Sequence, residues 1–299
     1  MIKIYKIKEN INIRLDKYLK TKFTSLTQSF IEKNIRKKKI LVNNLKTMSK
    51  YIIKENDEIK ILNFNDDVYK NKIIFKKNVK INEKTLDLFE KSIIFENKKF
   101  IILNKWSSIS TQSGSKIRFS IDDIVKKFSS ENRLVHRLDK ETSGLLIIAK
   151  NSNYAKIFGN LFKSKLIEKS YLAICEGRPK LKESLVNLDL INKFNKIDKT
   201  ETYYKILQSQ KGVSLILFKP KTGKTHQIRR VSKNIGAPII GDLKYNSSSK
   251  FKNENLKLNA HQLRFVINDK SYSFSSELPT DFLLFIKKHN IKLPKKFCN

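Results

Sequence analysis

Three stretches of this sequence gather side chains able to do chemistry. The first is Leu134-Val135-His136-Arg137-Leu138-Asp139-Lys140-Glu141-Thr142-Ser143-Gly144, a polar turn between apolar runs. In an extended backbone Arg137 and Asp139 share a face, because side chains alternate. A guanidinium favours the charged form of a neighbouring carboxylate, which suits a nucleophile or a base rather than an acid. A hairpin with an Arg–Asp surface pair shows the same pattern, and the pair alone favours that plainer reading. The alternation also turns His136 away from Asp139, toward a structural place.

The second stretch is Gly223-Lys224-Thr225-His226-Gln227-Ile228-Arg229-Arg230. It reads as a turn entering a helix over 225–235, capped by Thr225 and stopped by Gly236 and Pro238. His226, Gln227 and Arg229 then occupy the first turns, where free backbone N–H groups favour anions; a plain basic helix surface is the alternative. The third is Glu168-Lys169-Ser170-Tyr171-Leu172-Ala173, a strand in which Tyr171, taken alone, is a core or edge aromatic.

The rest of the chain must hold these stretches in place. Of its 299 residues 39% are hydrophobic, with 19 Phe and 10 Tyr, enough to build a core and to exclude a wholly disordered chain. The two cysteines, Cys175 and Cys298, can form neither a disulfide framework nor a four-cysteine zinc site, and read as a buried thiol and a tail residue. The histidines are scattered, so no metal site is expected. No apolar run reaches the length of a membrane span, and the N-terminus lacks the apolar core of a secretory signal. A cytoplasmic protein follows as the expectation. Sixty-three Lys+Arg against 28 Asp+Glu leave a net charge of +35, the balance of a polyanion binder. Lys, Ile and Asn are overused throughout, as in AT-rich coding, so arginine is the cleaner signal. Only nine of the basic residues are Arg, and four of these form the pairs Arg133/Arg137 and Arg229/Arg230. Planar bidentate chemistry cannot be handed to Lys.

Glycine begins at Gly114 and proline at Pro179, so the first part turns on Asn, as at Asn43-Asn44. Residues 14–37 read as two helices, the first with Leu15, Tyr18, Leu19 and Phe23 on one face. Thr27 or Ser25 caps the second, which ends in Arg36-Lys37-Lys38-Lys39. Strands at 40–43 and 58–62 complete a small basic unit, for which RNA binding and a solvated charge run are equally open. Residues 64–90 read as a polar linker with one strand at 73–75. Strands follow at 93–95, 100–103, 133–137, 145–149, 169–175, 200–207 and 213–218, with helices at 122–128 and 151–163. Strands dominate and no Rossmann glycine fingerprint occurs, so the larger part is α+β.

Taken together, the three stretches resemble the RluA-type pseudouridine synthases. The family's H-R-L-D-x-x-T-S-G is complete from His136 to Gly144. Its G-R-T-H-Q-I-R is matched from Gly223 to Arg229 with Lys224 in place of Arg. Lys169 and Tyr171 match K-x-Y, Gly241 to Tyr245 matches G-D-x-x-Y, and Asn259 to Phe265 is similar to L-H-A-x-x-L-x-F. The resemblance spans about 92–285. The N-terminal unit, through Arg14–Leu19 and Ile35–Asn43, resembles the small helix-helix-hairpin RNA-binding domain that many of these enzymes carry. Gln112-Ser113-Gly114-Ser115 is most similar to the RluC branch, which acts on large-subunit ribosomal RNA. The chain departs from the family at Val231 and Asn259, where a His is usual, at Lys38 in place of a Gly, and at Trp106 in place of the Pro after Lys105. Lys38 is thereby expected in a strained conformation.

The resemblance implies a small RNA-binding domain over 1–63 (core about 12–62), a linker over 64–90 and a catalytic domain over 91–299 with a central mixed or antiparallel sheet. It implies isomerisation of uridine to pseudouridine in large-subunit (23S) ribosomal RNA by a monomer needing no cofactor. Asp139 would act at the sugar C1′, by attack or by proton abstraction. Arg229 would pair with Asp139, and Tyr171 would stack on the uracil. Arg137 would fill the space of a flipped-out base. Arg14, Arg36, Lys37, Lys38, His136, Lys224, His226, Gln227 and Arg230 are the further candidates for RNA contact, and the lysines would make affinity salt-dependent. A transfer-RNA target, a non-catalytic ribosome-assembly protein on the same fold and a methyltransferase are the alternatives; the last lacks a Gly-rich cofactor loop over 92–115.

Overall fold

Apolar residues at helical spacing and at alternate strand positions gather into one core in a small unit and several in a larger one. The computed structural model describes residues 1–71, 81–114, 117, 119–192, 194–294 and 297, and these fall into two compact units, Met1–Asn78 and Val79–Asn299. The strand expected at 73–75, Ser115 and Cys298 lie outside the described residues.

The first unit contains β1 (Lys3–Lys6), α1 (Leu15–Lys22), α2 (Gln28–Arg36), β2 (Ile40–Val42) and β3 (Glu58–Ile61). The helices place Leu15, Leu19, Ile31 and Ile35 in a core shared with Ile40, Ile59 and Ile61. Thr27 caps α2, its hydroxyl accepting from Phe30 N–H at 3.2 Å. Lys38 ends that helix in the left-handed region, φ 57°, as its place where the family has Gly implied. Its N–H donates to Ile35 C=O and that of Lys39 to Asn34 C=O, at 3.0 and 2.9 Å, a Schellman closure made without glycine. Asn43 and Asn44 both have positive φ, 49° and 64°, and turn the chain after β2 as a two-residue tight turn does. β1, which the sequence reading missed, pairs antiparallel with the outer side of β3 to give the order β1-β3-β2.

Of the stretch expected to be a linker, 72–80 lie outside the described residues, while residues on either side of it pack into cores. Phe64 and Tyr69 stack at 4.9 Å within the first unit. The second unit opens with α3 (Glu83–Lys91), capped by Asn82, whose Leu86 and Phe89 turn inward.

After α3 come β4 (Ile93–Glu96), β5 (Phe100–Lys105), α4 (Ile121–Phe128), β6 (Arg133–Leu134), β7 (Ser143–Ala149), α5 (Ser152–Lys163), β8 (Glu168–Glu176) and β9 (Glu183–Ile191). They are followed by β10 (Ile197–Gln210), β11 (Val213–Pro220), α6 (Gln227–Asn234), β12 (Leu258–Ile267), β13 (Lys270–Ser275) and α7 (Thr280–Lys288). The strands form one sheet in the order β4-β5-β7-β12-β8-β11-β10-β9, with β6 on β7 and β13 on β12. β7–β12 is parallel, while the other pairs, such as β5–β7 and β8–β11, are antiparallel; the mixed sheet and α+β class stand as expected. Alternation along β8 sends Ala173 and Cys175 to a core with Ile228 and Val231 of α6. It sends Leu172 and Ile174 to the opposite core, with Phe282 and Phe285 of α7. Cys175 is the buried thiol that was expected, its pKa pushed up by burial. Gly144 makes the β7–β12 junction possible: φ is 105°, and a Cβ there would stand 2.4 Å from Ala260 O.

Two expectations change. The strand over 133–137 stops at Leu134, because side chains take over the pairing beyond it. Ile147 N–H donates to His136 Nε2 at 2.8 Å. Thr111 Oγ1 donates to Leu138 C=O at 2.7 Å and accepts from Leu138 N–H at 3.1 Å. The helix expected from Thr225 begins at Gln227, and its N-cap is His226 in the left-handed region, with no side-chain cap. Gln227 Oε1 accepts instead from Lys224 N–H and Thr222 Oγ1 at 3.0 and 2.8 Å, folding the turn back on the helix start.

Candidate active site

The turn after β6, the start of β8 and the loop from β11 into α6 enclose a cavity of about 550 Å³ in the second unit. Asp139, Tyr171 and Arg229 all line it, with His136, Arg137, Lys224, His226 and Gln227 from the candidates for RNA contact.

Asp139 sits where the β6 strand has given way to a turn closed by Thr142 N–H on Asp139 C=O at 3.1 Å. Its carboxylate is 21% exposed and has a different neighbour at each oxygen. Oδ1 lies 3.8 Å from His226 Nε2 and Oδ2 lies 3.6 Å from an Nη of Arg229. The turn is fixed from beneath by Lys105. This side chain is fully buried, and its Nζ donates to the carbonyls of Trp106, Ile109 and Lys140 at 2.9, 3.1 and 3.2 Å. Burial lowers its pKa to about 7, against the pull of Glu141 and Asp139.

Arg229 stands at ion-pair distance from Asp139, as the resemblance implied, but it is held more firmly elsewhere. Its firm partner is Asp242, which takes Nε and Nη2 in a two-pronged pair at 2.7 Å each. A buried guanidinium needs such a partner, since leaving one buried charge alone costs about 3–5 kcal/mol. Arg229 is 9% exposed and Asp242 2%. Burial works against the charge of Arg229, but the hydrogen bonds and charge of Asp242, followed by the charge of Asp139, hold its pKa above the ordinary value. Asp139 therefore receives the remaining edge of a guanidinium already fixed elsewhere. Asp242 also accepts from Lys244 and Tyr245 N–H, at 3.1 Å each, which orders its own loop. Gly241 enters that loop at φ 76°, and a Cβ there would meet Asn255 O at 2.2 Å. The sequence reading matched Gly241–Tyr245 as a motif and gave Asp242 and Tyr245 no part in the site. The signal was the motif itself, which places a carboxylate next to Gly241.

Tyr171 pairs across β8 with Phe218 of β11 and Ala260 of β12. Burial, then the charge of Asp139, raises its pKa, so the phenol keeps its proton. Lys169, two residues earlier on the same strand, donates to Thr222 C=O at 3.3 Å, and burial brings its pKa down to about 8. It too had been assigned no role.

Several candidates for RNA contact are engaged by protein. His136 accepts from Ile147 N–H and packs its ring 4.8 Å from Phe162; burial and then Lys169 hold the imidazole neutral. Gln227 is buried, and its NH2 group donates to Thr202 Oγ1 and Glu201 C=O at 2.9 and 3.2 Å. Arg230 donates to Ile191 C=O at 3.1 Å. Lys224 pairs with Asp198 at 2.8 Å on the rim. Arg137 is exposed at the cavity wall. In the first unit Arg14 is held by Asp16 at 2.8 and 3.1 Å, while Arg36, Lys37 and Lys38 are exposed at the end of α2. Among the described residues no three His, Cys, Asp or Glu side chains gather as around a metal ion, and no helix is long and apolar enough to cross a membrane.

Residues 99–234 match the family described as RNA pseudouridylate synthase. The ribosomal large subunit pseudouridine synthase C of Rickettsia typhi is 40% identical over 253 residues, covering 79% of this chain and 82% of that protein. Its namesake in Rickettsia bellii is 37% identical over 261 residues, covering 81% and 85%. Among solved structures, human RNA pseudouridylate synthase domain containing 4 is similar in fold, with a TM-score of 0.64 at 22% identity over 71% of this chain and 98% of that one.

Proposed function

We propose, for a chain that belongs to the RNA pseudouridylate synthase family, that Asp139 is the reacting carboxylate and that large-subunit ribosomal RNA is the substrate. The chain is a pseudouridine synthase. Its reaction breaks the C1′–N1 bond of a uridine and forms a C1′–C5 bond; the hydrogen leaves C5 for solvent and N1 takes up a proton, so no group is gained or lost. The observation that carries the assignment is the pair of contacts on Asp139, with Arg229 beside one oxygen and His226 beside the other in a cavity that fits a nucleotide base. Asp139 acts at C1′, by attack or through a sugar proton.

Arg229 sets the orientation of that carboxylate and Tyr171 offers its ring to the uracil. A base must leave its stack to enter such a cavity, and Arg137, free on the wall, takes the vacated place. Lys224 and the exposed Arg36, Lys37 and Lys38 of the first unit contact phosphates, in keeping with the net charge of +35. The first unit is an RNA-binding domain, and the enzyme acts as a cytoplasmic monomer. The names of the relatives support the ribosomal target.

The test is tritium release from large-subunit RNA labelled at uridine C5, comparing the wild type with Asp139→Asn. Release by the wild type and none by the variant is expected. Equal release by both would remove Asp139 from the chemistry. Release from transfer RNA alone would move the substrate, and tight binding with no release from either would leave a binding protein on this fold.

A further inference from the structure

His226 is the least expected conformation in the site. It stands at φ 53°, ψ 28° at the mouth of α6, a backbone region that glycine enters freely and other residues seldom do. No cap hydrogen bond from its side chain repays that conformation. What the geometry achieves is to carry the imidazole off the helix and into the cavity, between two groups. Nδ1 lies 3.0 Å from the Tyr245 hydroxyl, and Nε2 faces Asp139 Oδ1 at 3.8 Å. Tyr245 is fixed in turn, its N–H bound to Asp242 and its ring 5.2 Å from the Arg229 guanidinium and edge-on to the imidazole at 5.7 Å.

Burial favours the neutral imidazole, and for a neutral ring one proton arrangement suits all three groups. If Nδ1 carried the proton, the lone pair of Nε2 would face the lone pairs of a carboxylate. If the Tyr245 hydroxyl donates to Nδ1, the proton sits on Nε2 and points at Oδ1. The gap of 3.8 Å is just beyond hydrogen-bond length, and contacts of this kind commonly tighten when substrate closes the site. Arg229, on Oδ2, comes from the other side. We infer that His226, its tautomer selected by Tyr245, is a positioning residue that fixes the rotation of the Asp139 carboxylate by donating Nε2–H to Oδ1. This rests on the reading of Asp139 as the reacting group. It replaces the expectation that His226 serves RNA contact.

The experiment measures single-turnover tritium release, RNA Kd and Tm for His226→Gly, His226→Gln and Tyr245→Phe, beside wild type and Asp139→Asn. Glycine suits the left-handed backbone, so His226→Gly should hold or raise Tm and leave Kd unchanged, while the turnover rate falls about 10²-fold, the scale of a misplaced reacting group. Glutamine has an N–H donor near the Nε2 position and should recover most of that rate. Tyr245→Phe should lose about tenfold through loss of tautomer selection, at unchanged Kd. Wild-type rate in His226→Gly, a loss confined to Kd, or a Gln variant no faster than Gly would overturn the inference. In that case wild type still turns over and Asp139→Asn does not, which separates this failure from that of the underlying reading. A wild type that releases no tritium overturns both.

Discussion

The two walls of the cavity hold their functional side chains by opposite means. The 134–142 wall uses neutral groups and a lysine on carbonyls: Thr111 on Leu138, His136 on Ile147, Lys105 on three carbonyls. The 223–245 wall uses charges, with Arg229 locked by Asp242 and Lys224 tied to Asp198. Hydrogen bonds between neutral groups fix backbone and leave Asp139 free of a strong local partner. A charge pair presents an arginine whose first demand is already met, so its spare edge can act on Asp139 without being neutralised by it. With Asp139 as the proposed reacting carboxylate, reactivity on one wall and electrostatic control on the other would follow from that division.

The comparison can be broken most forcefully at Asp242. Asp242→Ala leaves Arg229 buried and unpaired; a loss of about 3–5 kcal/mol in urea unfolding is expected, with tritium release reduced at least 100-fold, on the order of a lost electrostatic contact in a closed site. On the neutral wall the corresponding change is milder. Thr111→Val removes both bonds to Leu138 and leaves its backbone groups unsatisfied, an expected cost of about 1–3 kcal/mol in the same assay.

A pH series sharpens the contrast. Folding lowers the His136 pKa to about 3 from an ordinary 6.5. The unfolded chain therefore binds the extra proton across that window, and stability is lost as pH falls from about 6.5 toward 3. Burial, and then the charge of Lys169, causes the shift, and protonation would also break the bond from Ile147 N–H, which an imidazolium nitrogen cannot accept. Thermal melts should show this acid loss reduced in His136→Gln, which offers an amide oxygen acceptor that does not protonate in that range. The smallest effect belongs to the rim: Lys224→Ala should leave Tm unchanged, and the log–log salt slope of RNA binding should fall by about 1. A drop in Tm there would mean that the rim pair with Asp198 holds the charged wall together.

Much of this was readable in the chain. The residues from His136 to Gly144 and from Gly223 to Arg229 marked both walls, and helical spacing located α1, α2 and α5 to within a few residues. What escaped depends on partners distant in sequence. β1 is a strand because Lys3 to Lys6 lie against Ile61 to Glu58, and nothing in four alternating residues announces that. The resemblance gave Arg229 the partner Asp139, which lies beside it, but the firmer partner Asp242 follows from burial, and burial is not written in a single sequence. His136 was correctly turned toward structure, though for an incomplete reason: its ring replaces a strand carbonyl, which alternation alone does not reveal.

The parallel junction of β7 and β12 joins Ser143 and Gly144 to Asn259 and Ala260. Such a long loop is slow to close. On the ribosome, β4 to β11 and the Asp139 turn emerge before β12 exists, so the centre of the sheet waits with β7 and β8 as open edges. Gly144, two residues beyond the Asp139 turn, sits on that seam with no room for a side chain. The topology thus predicts a late closure, with the interval before it as the time when exposed strand edges invite aggregation.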